Sequence, residues 1–107
     1  MNDRGLVFAL LLTVVACGQD KAKIATARVS ACTVRSAAEL EMVDTAKCAT
    51  TVAELVRDKR LDKDQPDPWG QAFTIKCEPD IVVTSSGPDK TMGTADDVTG
   101  DAKTCQR

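Results

Sequence analysis

The segment Gln65-Pro66-Asp67-Pro68-Trp69-Gly70 constrains this chain more than any other. Each proline lacks an amide N–H and disfavours the α conformation for the residue before it, so no helix passes through this point. Asp67-Pro68-Trp69-Gly70 has the residues of a type I turn, with Asp first, Pro second and Gly last. Beyond it the pattern has a period of two. Phe73, Ile75 and Cys77 alternate with Ala72, Thr74 and Lys76, which predicts a half-buried strand over Gln71 to Cys77. Glu78-Pro79-Asp80 makes a short connection, Ile81 to Ser85 makes the antiparallel partner, and a third short strand is expected over Asp97 to Thr99. Trp69, the only tryptophan, is expected to fold back over the helices as the largest apolar anchor.

Upstream the period is helical. Ile24, Ala27, Ala31, Val34, Ala38 and Met42 recur at steps of three and four, while Lys23, Arg28, Arg35, Glu39 and Glu41 fall on the other faces. That predicts a helix from Lys21 to about Ala46, with alanines on its apolar stripe that let another element approach closely. Thr51-Val52-Ala53-Glu54 fits a capping box, in which each residue's side chain serves the other's amide. A second helix is expected to run on to about Arg60, with Val52, Leu55, Val56 and Leu61 inward. Asp58, Lys59, Arg60, Asp62, Lys63 and Asp64 read as a solvated helix end. The fold class is α+β: a long N-terminal helix and a short second helix packed on a small antiparallel sheet.

Between Ser85 and Asp97 the chain is rich in hard oxygen donors. Ser85, Ser86, Asp89, Thr91, Thr94, Asp96 and Asp97 are interleaved with Gly87, Pro88 and Gly93, and the protein has no histidine. Carboxylates, hydroxyls and carbonyls on a Gly-bent loop suit Ca²⁺, which takes about six to eight oxygens in loose geometry. The same residues also compose an ordinary solvated acidic turn.

DPWGQAF, a β-run and then SSGPDKTMGTADDV together resemble the C-terminal domain of the major pseudopilin of type II secretion systems. The resemblance spans roughly 22–98, and its specific part is the last third. It implies a pseudopilin-like sheet lying across the lower half of a long helix, with a C-terminal calcium loop. Asp89, Asp96 and Asp97 would be the side-chain ligands, with backbone carbonyls near Ser85 and Gly87 completing the shell. Other pseudopilins or secretion-apparatus proteins would be the partners. One departure is Lys90, where the family carries Gly; a lysine there brings positive charge to the loop and is strained if φ is positive.

The N-terminus reads MNDRGLVFALLLTVVAC, an arginine before an apolar run from Leu6 to Ala16. The run is too short to span a bilayer and suits a secretory signal. Its end, Val14-Val15-Ala16-Cys17, resembles a bacterial lipobox, which makes 1–16 a signal peptide, Cys17 the lipidated residue and 17–107 the domain. Arg4-Gly5 resembles a prepilin peptidase site, but Leu10 stands where pseudopilins carry Glu, and charges arrive at Asp20 and Lys21. An ordinary cleaved signal peptide is the third alternative. The favoured expectation is an exported protein anchored by lipid in the bacterial cell envelope.

With Cys17 assigned to lipid, Cys32, Cys48, Cys77 and Cys105 remain, an even number suited to an oxidising compartment. Of the three connectivities, Cys32 with Cys48 and Cys77 with Cys105 is expected. No two cysteines have the C-x-x-C spacing of a zinc site.

The remaining inventory narrows the function. A net charge of -2 and only three aromatics, two Phe and one Trp, supply neither a basic face nor stacking platforms for nucleic acid. Ser30, Ser36, Ser85 and Ser86 have no general base beside them in sequence, and Asp96 and Asp97, as neighbours, are expected to point apart. The expectation is a structural, non-enzymatic component of a type II secretion or type IV pilus-like apparatus. The alternative is a free-standing envelope lipoprotein that uses the same domain as a binding module.

Overall fold

The computed structural model describes residues 2–106, and side chains from Asp20 onward. Helix α1 runs Asn2–Thr45, α2 runs Val52–Arg57, and strands β1 (Thr74–Lys76), β2 (Val82–Ser85) and β3 (Val98–Gly100) follow. This is an α+β arrangement of one long and one short helix packed on a three-stranded antiparallel sheet, ordered β1-β2-β3. Thr74 stands opposite Thr84 in the first ladder, and Ser85 opposite Val98 in the second. The expected signal segment 1–16 and the Cys17 side chain lie outside the described side chains. Among the described residues no helix is long and apolar enough to cross a membrane.

The inner face of α1 is the predicted stripe. Ala27, Ala31, Val34 and Ala38 are buried, joined by Ala37. Small side chains let the sheet come within backbone contact: a Cβ on Gly100 of β3 would stand 2.9 Å from the Ala31 carbonyl carbon. The helix stops where Ala46 turns left-handed, at φ 57°, and returns its N–H to the Met42 carbonyl. α2 begins on its cap, with the Thr51 hydroxyl accepting from the Glu54 amide at 3.2 Å. Glu54 itself reaches one residue further back than expected, to the amide and hydroxyl of Thr50. Leu55, Val52, Phe73, Ile75 and Val83 form one core cluster with Ala31, Val34, Ala37 and Ala38 of α1 and with Ala49.

Five expectations are corrected. Glu41 is not on an outer face: it is 1% exposed, receives the Thr45 hydroxyl, and its second oxygen lies 3.7 Å from Arg60 Nε. Arg60 in turn binds Asp44 at 2.7 Å, so the charged run after α2 is partly a clasp onto the end of α1. Trp69 is half-buried and outside the core cluster, where Leu55 and Phe73 are the large anchors. The first strand is only Thr74–Lys76, shorter than its alternation, because β2 offers partners only from Val82 to Thr84.

The fifth correction is the cysteine pairing, which is Cys32–Cys105 and Cys48–Cys77. Cys32 lies thirteen residues before the end of α1, about 20 Å along the axis, and cannot reach Cys48 beyond that end. Cys77 and Cys105 follow β1 and β3, which flank β2 on opposite sides. Two strand spacings, about 9–10 Å, exceed the span of a disulfide. Because β3 crosses α1 at Ala31, the tail is instead delivered to Cys32, with Cα atoms 5.5 Å apart.

Candidate functional site

The oxygen-rich loop leaves β2 at Ser85 and returns as β3 at Val98. Its root is set by a buried carboxylate. Asp67, 3% exposed, accepts from the amides of Trp69 and Gln71 with one oxygen and from the Ser85 hydroxyl, at 2.7 Å, with the other. Ser85 Oγ also accepts from the Gly87 amide. The turn after the prolines is thereby fastened to the start of the loop, and Gly70 closes that turn by donating to the Asp67 carbonyl. The hydroxyl of Ser86 and the indole N–H of Trp69 are buried without a partner.

At Gly87, φ is 78° and the Asp96 carbonyl sits where a Cβ would be, so this position admits no side chain. Lys90 closes the next turn by donating its amide to the Gly87 carbonyl, and it does so at φ 57°. The left-handed backbone that the sequence raised at this position is present, occupied by a lysine.

Asp89 and Asp97 are directed inward by the loop's own donors. Asp89 accepts from the Thr91 amide at 3.0 Å and from the Thr94 hydroxyl at 2.6 Å. Asp97 accepts from the Gly93 amide at 2.8 Å, and its other oxygen lies 3.4 Å from the Thr94 amide and 3.5 Å from the Thr94 hydroxyl. The Thr94 hydroxyl, and then the Thr91 amide, hold the Asp89 carboxyl below its ordinary value of 3.8. Asp96 is exposed and its carboxylate bonds nothing among the described residues; its amide donates to Thr94 Oγ.

The expected ligand set is thus divided. Among the described residues no three carboxylates or thiols gather around a common point. Asp89 and Asp97 meet at Thr94, Asp96 stands outside, Ser85 is taken up by Asp67, and Gly87 packs on the Asp96 backbone. Each oxygen of Asp89 and Asp97 faces a donor of the loop itself, and Lys90 follows Asp89 directly. Placed this way, the residues do not fit a calcium cage of about six to eight oxygens. The residue that sequence reasoning passed over is Thr94, noted only as one more oxygen; its place between the two carboxylates was the available signal. Compared with family models, curated proteins and solved structures, the chain matches none.

Proposed function

We propose that the chain is a structural, non-enzymatic, pseudopilin-like component of a type II secretion or type IV pilus-like apparatus, exported and held to a membrane of the bacterial envelope by lipid on Cys17. The supporting observation is the small antiparallel sheet lying across one face of a long helix, with Gly100 seated on Ala31 and the Asp67 turn fastened to the loop that follows β2. A structural subunit also needs a face for its neighbours. The outer side of α1 leaves Val29, Leu40 and Val43 exposed, opposite the stripe that holds the sheet. Other pseudopilins or secretion-apparatus proteins are the partners on this reading. Calcium is left out of this reading, since Asp89 and Asp97 bond within the loop and the Asp96 carboxylate stands apart from them.

The test is deletion of the gene in its own host, with the secreted proteins measured. Loss of a defined set of exoproteins supports a place in the apparatus. An unchanged secretome rejects that place and leaves the second reading, a free-standing envelope lipoprotein, which Val14-Val15-Ala16-Cys17 and the exposed charges at Asp20 and Lys21 favour over a pilin helix. Intact mass of the mature protein from native membrane decides the anchor. A chain starting at Cys17 with acyl additions is expected, gaining two hydrogens per disulfide on reduction; a chain starting at Leu6 with a methylated amine would make it a filament subunit.

A further inference from the structure

We propose that Thr94 closes the Ser85–Asp97 loop by itself, so that the order of this loop does not depend on a divalent cation. Two carboxylates eight residues apart in sequence have to be reconciled with each other's charge for the loop to fold back on itself, and among the described residues neither is paired with a lysine or arginine. The device that joins them is one threonine. Its hydroxyl has a single proton, which goes to Asp89 Oδ2 at 2.6 Å. Its lone pairs accept from the Asp96 amide at 3.3 Å, and its backbone N–H, at 3.4 Å, faces Asp97. The Thr94 carbonyl accepts from the Asp97 amide at 3.2 Å. One residue therefore meets both carboxylates and the backbone on the return side of the loop.

The rest of the loop is closed by the same economy. The Gly93 and Thr91 amides neutralise the outer oxygens of Asp97 and Asp89 with partial charges from the backbone. At the base, the Asp67–Ser85–Gly87 relay and the contact of Gly87 on the Asp96 carbonyl fix the two ends of the loop against each other. A cation would have to compete with the Thr94 hydroxyl for Asp89 and draw in the Asp96 carboxylate, which bonds nothing among the described residues. The loop is thus a self-bonded counterpart of the calcium loop it resembles. This holds whether or not the domain serves a secretion apparatus.

Hydrogen exchange on the full mature chain, disulfides intact, tests the proposal. Loop amides from 87 to 97 are followed in EGTA and in about 5 mM calcium chloride, above the range where extracellular calcium modules saturate. Wild-type loop exchange should differ by less than about twofold between the two conditions. Thr94→Val should exchange faster in the loop by about tenfold or more, as loss of one hydrogen bond to a charged group implies. Core amides such as those of Leu55 and Val83 should be unchanged, Thr94→Ser should restore wild-type exchange, and Asp96→Asn should match wild type throughout. Calcium slowing wild-type loop exchange by about tenfold, abolished in Asp96→Asn, would overturn the proposal in favour of a cation site. Wild-type exchange in Thr94→Val would overturn it also. Should that variant not fold, Asp89→Ala, which removes the acceptor of the Thr94 proton, is read the same way.

Discussion

Lys90 shows at the scale of one residue how the loop departs from its simplest form. A lysine at φ 57° carries a steric cost that glycine does not, so Lys90→Gly should raise stability by about 0.5–1 kcal/mol in a urea titration, the relief exceeding glycine's extra unfolded-state entropy. Gly87→Ala should act in the opposite direction. Its Cβ would enter the Asp96 carbonyl at a positive φ, and a loss of about 2 kcal/mol or more is expected in the same titration. The strain at Lys90 was raised from the sequence as a condition, because a turn's demand for positive φ is local; at Gly87 the sequence showed a bent loop and not the Asp96 carbonyl packed against it. The burial of Glu41 and Asp67 was not legible there. Glu41 is buried with the Thr45 hydroxyl on one oxygen and the Arg60 guanidinium, nineteen positions on, 3.7 Å from the other, and Asp67 is satisfied in part by Ser85, eighteen positions on. A polar residue in a helical pattern reads as surface until the fold supplies such a partner.

Single elements carry the next level. The inner stripe of α1, the alternation after the turn and the cap of α2 were readable because periodicity and capping act within a few residues. Strand lengths were not, since they depend on how many partners the neighbouring strand offers. β3 packs directly on the α1 backbone at Ala31, and Gly100→Ala should push the strand off the helix, costing about 1–3 kcal/mol and loosening Cys105 with it. The turn after β3 has its own lock. Asp101 lies below its ordinary value of 3.8, chiefly through the Thr104 amide and then its hydroxyl. A depressed folded value means the contribution is complete above pH 3.8 and disappears as pH falls through the folded value. The Thr104 amide should therefore exchange at a constant protected rate down to about pH 4, after correction for intrinsic exchange, and lose protection below it. Asp101→Asn should flatten that dependence.

For the whole molecule the decisive feature is how far-apart segments are tied. The extents are 64 × 25 × 25 Å and the radius of gyration is 17.1 Å, against about 13 Å for a compact chain of this length, because α1 is a 44-residue rod with the sheet gathered at one end. Such a small core gains from covalent ties. Cys32–Cys105 closes 73 residues and Cys48–Cys77 closes 29. On the chain-entropy model, replacing the first pair by alanine should cost about 4 kcal/mol and replacing the second about 3–4, measured by denaturation without reductant. That Cys32, Cys48, Cys77 and Cys105 bridge among themselves was legible; the connectivity depended on β3 crossing α1, which no spacing records. The pairing is nested, one ring inside the other. A protease that cuts the exposed run 62–66 once, between the cysteines of the inner ring, would release no fragment, and so would a cut anywhere from 33 to 104. On a non-reducing gel such a clipped chain should run as one species and fall into two only with thiol. The two-clip arrangement expected from spacing would have come apart at that same cut. Wherever a protease meets it, the topology of the bridges gives this small domain a tolerance to nicking that its modest core alone could not supply.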